Sequence, residues 1–213
     1  SRPATPPNVL CLIGRVVPVK DIKTFIRAMR VVVNHIPDAE GWIAGPRGED
    51  PAYVQECEAL AVSLGLTENI RFLGLQKMDD LLPRIGLTVL SSISEGLPLV
   101  LLESMAAGVP AVVTDVGACR QLIEGRGEED QSIGKSGAVV RIADPEALAN
   151  AALALLEDND RWHAASLAGL RRVERTYQES QMLEAYRTLY RQLLASDVQT
   201  SSSKARCPHA RQN

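Results

Sequence analysis

The sequence is short of most features that announce a function. Aromatic residues make up only 4% of its 213 residues. The core therefore has to be aliphatic, and a hydrophobic content of 46% is enough for one large or two small domains. No apolar run approaches the ~20 residues that span a bilayer. No charged-then-apolar leader opens the chain, so nothing argues for secretion. A formal net charge of −3 removes the bulk electrostatic case for nucleic acid or a membrane surface. The cysteines Cys11, Cys57, Cys119 and Cys207 form no C-x-x-C pair, and no histidine stands at metal-ligand spacing to them. They read as small buried hydrophobes or inert thiols, which suits a reducing cytoplasm. His35, His163 and His209 are isolated, and no Ser/His/Asp or Cys/His set emerges.

Phosphate motifs are missing too. No G-x-G-x-x-G follows the first apolar run, which speaks against a dinucleotide oxidoreductase. Gly134-Lys135-Ser136 mimics the end of a P-loop, but Glu129 stands where the leading glycine belongs. No D-x-D pair of the metal-chelating kind is read here, so nothing invokes Mg²⁺ or Mn²⁺, and no metal or cofactor is expected.

What is present is alternation. Apolar runs of strand length fall at 9–14, 40–45, 69–74, 87–90, 110–114 and 137–142. Helical spacing separates them: Ile22, Phe25, Ile26, Met29, Val33 and Ile36 after an N-cap at Asp21, then Val54, Cys57, Leu60, Ala61 and Leu64 behind Asp50-Pro51. A short helix is expected over 79–84 and another from Pro98. Residues 115–136 read as loop, with Glu128-Glu129-Asp130 as a solvated surface insertion. Asp144-Pro145 opens helical patterns over 145–156, 158–176 and 180–195, and the polar, Ser-rich residues 196–213 are expected to be disordered. The pattern predicts an α/β fold: a doubly wound, mostly parallel six-stranded Rossmann-like sheet.

In such sheets ligands bind beyond the carboxyl ends of the strands. That rim carries Arg15 and Lys20 after the first strand, Leu75 and Gln76 after the third, and Ser92 to Pro98 after the fourth. A guanidinium with an ammonium near it suits a pyrophosphate. The helix from Pro98 adds first-turn N–H groups at Leu99 and Val100, and Gly96 permits close backbone approach. Glu95 and Glu103 lie eight positions apart in SEGLPLVLLE. By spacing alone they fit either a polyol site or a loop carboxylate and a solvated helix face. Their place on the rim favours hydroxyl recognition. Sugar, diphosphate and ribose in a row, as in a nucleotide sugar, match this set.

The stretches Gly14-Arg-Val-Val-Pro-Val-Lys20, Ile43-Ala-Gly-Pro46, Phe72-Leu-Gly74 and Ser94-Glu-Gly-Leu-Pro-Leu-Val-Leu-Leu-Glu-Ser-Met-Ala-Ala-Gly-Val-Pro110 resemble the retaining glycosyltransferases of family 4. They look like the C-terminal, donor-binding half of the GT-B architecture, over roughly residues 8–195. The insertion Gly125–Gly137 and the Ala138–Pro145 segment look more narrowly like Pel-type exopolysaccharide glycosyltransferases. The resemblance implies a domain at 1–195, a tail at 196–213, and an N-terminal acceptor domain that this chain lacks. It implies that Gly14, Arg15 and Lys20 meet the donor diphosphate, and that Glu95, with Gly96, Leu97, Leu99 and Val100, meets the transferred sugar. Glu103 would accept from the ribose, and Leu75 and Gln76 would meet the base. Arg15, Lys20 and Glu95 would be catalytic. The implied donor is a UDP-sugar, UDP-glucose first, used as substrate without a metal. The implied partners are the N-terminal domain and a membrane polysaccharide-synthase complex, with no nucleic acid, and the implied location is cytoplasmic or at the inner membrane through partners. A non-catalytic nucleotide- or protein-binding module is the alternative. Tyr186, Leu189, Tyr190 and Leu193 either pack on their own domain or form a surface for the missing one.

Overall fold

A computed structural model describes residues 3–204, the side chains of 195–204 excepted. Six strands form one sheet: β1 (Val9–Ile13), β2 (Glu40–Ala44), β3 (Ile70–Gly74), β4 (Leu87–Leu90), β5 (Ala111–Thr114) and β6 (Gly137–Val140). Their order is β3-β2-β1-β4-β5-β6 and every neighbouring pair is parallel. The expected fold class is the one observed. Chain direction across the sheet reverses between β1 and β4, so the crevice at that switch point is where such a sheet binds ligands.

Alternation along the strands explains the layers. Leu10 and Leu12 of β1, Ile43 of β2, Val89 of β4 and Val112 of β5 enter one core, with Phe25, Ile26 and Met29 of α1 (Ile22–His35) and Leu148 and Ala152 of α7 (Pro145–Leu156). Cys11, Trp42 and Ala44 face the other way, against Leu81, Leu82, Ile85 and Val109. Strands covered on both faces read as continuous apolar runs. Three aspartates cap helices as expected: Asp21 accepts from Thr24 N–H (3.3 Å), Asp50 from Tyr53 N–H (3.0 Å) in front of α2 (Pro51–Ser63), and Asp144 from Ala147 N–H (2.9 Å).

Several expectations are corrected. The 79–84 helix is α3 (Met78–Leu81) followed by a 3₁₀ turn at Leu82–Arg84. β6 stops at Val140, opposite Thr114 where its partner β5 ends, and Ala143 beyond it has φ 55. The helix expected from Pro98 is present as α4 (Leu99–Ala106), with Pro98 as its N-cap. The stretch 115–136 is not loop: it contains α5 (Cys119–Glu124) and α6 (Gly127–Gln131). Nor is the acidic run wholly solvated. Asp130 is buried against the fully buried Arg172 of α8 (Asn159–Thr176). Arg172 Nε donates to Asp130 Oδ1 (2.9 Å), Nη1 to the Leu122 and Ile123 carbonyls (3.3 and 2.9 Å), and Nη2 to the Asp130 and Gly134 carbonyls (3.1 and 2.6 Å). The five N–H groups of a guanidinium thus find five acceptors. Asp130 Oδ2 in turn accepts from Arg126 N–H at 2.7 Å.

Two compact units divide the chain, 1–174 and 175–213. The second holds α9 (Glu179–Lys204), so helix extends into the stretch expected to be disordered, and the remainder of that stretch, with Cys207 and His209, lies outside the described residues. Tyr186, Leu189, Tyr190 and Leu193 of α9 are exposed.

The three described cysteines are buried and free, and burial pushes the Cys11 thiol up to about 12 and those of Cys57 and Cys119 to about 11. Glu95 adds to the shift at Cys119. Thiolate is the reactive form. In a Cys207→Ser background, Ellman's reagent at pH 8 should therefore titrate none of the three until the chain is unfolded. Prompt reaction of the native chain would contradict this packing.

Candidate functional site at the sheet switch point

The loops after β1 and β4 are built into each other. After β1 the chain makes a 3₁₀ turn, Pro18–Lys20, and Asp21 sits left-handed (φ 44) at the start of α1. Ser91, directly after β4, donates its hydroxyl to the Lys20 and Asp21 carbonyls (3.0 and 2.9 Å). Ile93 N–H donates to the Val19 carbonyl at 2.9 Å. From β5, Thr114 Oγ1 donates to the Ser92 carbonyl at 2.6 Å, and Ala118 N–H to the Gly96 carbonyl at 2.9 Å. Gly117 lets the chain pass here: its φ is +52, and a Cβ on it would lie 2.2 Å from the Glu95 carbonyl oxygen.

This scaffold brings Lys20 and Glu95 into contact. Nζ lies 2.5 Å from Glu95 Oε1, with the two side chains 17% and 11% exposed. Ser92 Oγ donates to the same oxygen at 2.6 Å. Both bonds fall on Oε1, and among the described residues Oε2 carries none. Lys20 keeps N–H donors beyond the one Glu95 takes, because an ammonium has three. Gly14 lies against the same lysine: a Cβ there would meet Lys20 Cε at 3.3 Å.

Arg15 does not join them. Its Nη1 donates to both carboxylate oxygens of Glu49, at 2.8 and 2.7 Å, with the side chains 55% and 53% exposed. The expected pair of open cations is therefore two ion pairs. Arg15 does share a cleft of about 310 Å³ with Gly14, Gly45, Pro46, Leu75 and Gln76. There Leu75 is 81% exposed, and Gln76 Nε2 donates to the Leu73 carbonyl at 2.8 Å.

Next to the Glu95 loop, α4 begins after Pro98 without a side-chain cap; Leu101 N–H turns back to the Pro98 carbonyl at 3.0 Å, and among the described residues the N–H groups of Leu99 and Val100 have no partner. Leu97 and Leu99 are exposed and Val100 is half-buried, its carbonyl accepting from Ser104 Oγ at 2.7 Å. Glu103 is exposed, and among the described residues its carboxylate has no hydrogen-bond or ion-pair partner. The two glutamates thus differ: one is held in place and the other is free to accept.

Sequence reasoning placed Ser92 on the rim but missed Ser91, Thr114, Gly117 and Glu49. Hydroxyls at strand ends were the available signal for Ser91 and Thr114. Asp158-Asn159-Asp160 does carry D-x-D spacing, but Asp158 caps α8 by accepting from Arg161 N–H at 2.9 Å. Among the described residues no cluster of three or more His, Cys, Asp or Glu could hold a metal ion.

The family model described as "Glycosyl transferases group 1" matches residues 7–158, more than half of the chain. The chain belongs to the group 1 glycosyltransferases. Among group 1 relatives, it is similar to the lipopolysaccharide core biosynthesis mannosyltransferase LpsB of Rhizobium meliloti (strain 1021), 32% identical over 183 residues, covering 85% of this chain and 50% of that one. It is similar in structure to sucrose-phosphate synthase from Thermosynechococcus elongatus, with a TM-score of 0.75 and 26% identity, covering 91% of this chain and 47% of that one. Anabaena HepE, solved in complex with UDP and glucose, shares the fold with a TM-score of 0.74 at 22% identity, covering 87% and 49% respectively. The group 1 chain thus spans about half the length of the relatives it matches.

Proposed function

We propose that this group 1 chain is the donor-binding half of a retaining GT-B glycosyltransferase of family 4, of Pel type. It would transfer a sugar from a UDP-sugar, UDP-glucose first, to a growing exopolysaccharide. The observation that carries the reading is the Lys20–Glu95 pair at the β1/β4 switch point, beside the uncapped start of α4. Lys20 donates to the diphosphate with the N–H groups that Glu95 leaves open. The α4 N-terminus adds aligned N–H groups and positive potential to the same anion. Together with Arg15 these groups stabilise charge as the diphosphate departs, so the reaction needs no metal or other cofactor. Glu95 Oε2 accepts from hydroxyls of the transferred sugar, and Glu103, open on α4, accepts from the ribose. Leu75 and Gln76 form the wall of the base cleft. The solved HepE complex with UDP and glucose supports this ligand class in the same fold. The acceptor site belongs to an N-terminal domain. Among the described residues no helix is long and apolar enough to cross a membrane. We place the protein in the cytoplasm, reaching the inner membrane through a polysaccharide-synthase complex.

Calorimetric titration with UDP and UDP-glucose tests the reading. The chain should bind UDP, Glu103→Ala should weaken it by about ten-fold, as loss of hydrogen bonds to a charged group does, and Lys20→Ala should weaken it further. No binding of any nucleoside diphosphate would falsify the donor-site reading. UDP affinity unchanged in both variants would place the nucleotide away from Lys20 and Glu103 and favour a non-catalytic nucleotide-binding module.

A further inference from the structure

At the candidate diphosphate locus the charges cancel. Lys20 is paired with Glu95, and Arg15 with Glu49. The two ion pairs thus add no net charge to what the α4 N-terminus and the spare Lys20 N–H groups offer, and a dianionic group gains a full cation only if one pair opens. The two pairs are not equivalent. Lys20 and Glu95 are largely shielded from water, share Ser92, and sit between loops tied together by Ser91 and Ile93. Arg15 and Glu49 are both more than half exposed, and Nη1 alone makes both contacts, so the guanidinium is not engaged as a two-nitrogen fork. Exposed pairs of this kind are weak. A bidentate pair with phosphate oxygens is geometrically better and more strongly charged.

The backbone around this pair does not have to move for it to open. Gly14 N–H donates to the Ala44 carbonyl at 2.9 Å and Val16 N–H to the Pro46 carbonyl at 3.0 Å, which fasten the loop after β1 to the loop after β2. Gly45 packs so closely that a Cβ on it would lie 2.0 Å from the Gly14 carbonyl oxygen. Only side-chain rotation is needed to carry Arg15 from Glu49 into the cleft that Arg15 already lines.

Resting on the donor-site reading, we infer that Glu49 is an internal rival for Arg15: its carboxylate occupies the guanidinium in the empty site and is displaced by the donor diphosphate. Glu49 touches no substrate. It acts through Arg15 and sets how tightly the nucleotide is held.

Calorimetry with UDP on the full 213-residue chain tests this. Glu49→Gln should raise UDP affinity about two- to five-fold, the span set by the strength of exposed ion pairs. Glu49→Ala should raise it similarly, and the gain should shrink at high salt. In an Arg15→Ala background neither substitution should matter. A purely structural Glu49 cannot produce a gain that depends on Arg15. Unchanged or weakened UDP binding in Glu49→Gln, with native thermal stability and wild-type binding intact, overturns the rival role and leaves the donor site standing. A gain that persists without Arg15 overturns it as well, because the effect would then be general repulsion. Absence of UDP binding in the parent chain and all variants overturns the donor-site reading and this inference with it.

Discussion

Arg172→Ala is expected to lower the unfolding free energy by about 3–5 kcal/mol, the range for removing one partner of a buried ion pair. The reason is what stays behind. The Asp130 carboxylate keeps only the Arg126 N–H, and the carbonyls of Leu122, Ile123, Asp130 and Gly134 lose their shared donor inside the protein. In a chain of this size each kcal/mol moves the melting midpoint by roughly 2–4 °C, so thermal denaturation followed by circular dichroism should show a fall of at least several degrees. Arg172→Lys should recover little, because a single ammonium cannot reach acceptors spread over α5, α6 and the following turn. Pairing Arg172→Met with Asp130→Asn should cost less than the two single losses added together, since no charge is then stranded. A loss below about 1 kcal/mol for Arg172→Ala would mean that this segment contributes no more than an exposed ion pair does.

The second large effect is at Gly117. An alanine there needs a left-handed backbone, which costs roughly 1–2 kcal/mol. Its methyl would also lie 2.2 Å from the Glu95 carbonyl oxygen and 2.5 Å from that of Gly96. Both contacts are with backbone, so the Glu95–Gly96 segment has to move. That carries Glu95 away from Lys20 and Ser92, and it breaks the bond from Ala118 N–H to Gly96. Gly117→Ala should therefore weaken UDP-glucose binding by at least about ten-fold, beyond any loss of folded protein, because the sugar loses a positioned Glu95 and a displacement of about an ångström at a positioned site costs that much or more. Wild-type affinity in a folded Gly117→Ala chain would place the sugar somewhere other than the Glu95 loop.

The fold was almost wholly legible. Strands buried on both faces are continuous apolar runs, and aspartates in front of three helices marked where the chain turns back. What failed was local pattern over short distances. α5 and α6 are five or six residues each and sit among glycines, too brief for a helical period to register. Asp130 looked solvated because its neighbours are charged, and the arginine that buries it lies 42 positions away. For the candidate site, the sequence indicated which rim of the sheet carries Arg15, Lys20, Glu95 and Glu103. It did not indicate how they pair. Arg15 and Lys20 are five positions apart in sequence, yet each is matched to a carboxylate from another loop, 34 and 75 positions on. Long-range ion pairs leave no periodic trace, so cations that looked open in the sequence are paired in the fold.

The Ser91 hydroxyl, shared between the Lys20 and Asp21 carbonyls, has a consequence for how such a protein can change over generations. Together with Ser92, Thr114 and Gly117 it forms a chassis in which each atom is already committed to another loop, so most substitutions there are expensive. Leu97, Leu99 and Glu103 on the neighbouring rim are exposed and hold nothing in place. Point changes at those positions cost little stability, and they would alter the surface of the proposed donor site. On the proposed function, specificity would then drift by single substitutions while the loops that hold the site together stay constant. A library randomised at Leu97, Leu99 and Glu103 should stay folded at a far higher rate than one randomised at Ser91, Thr114 and Gly117.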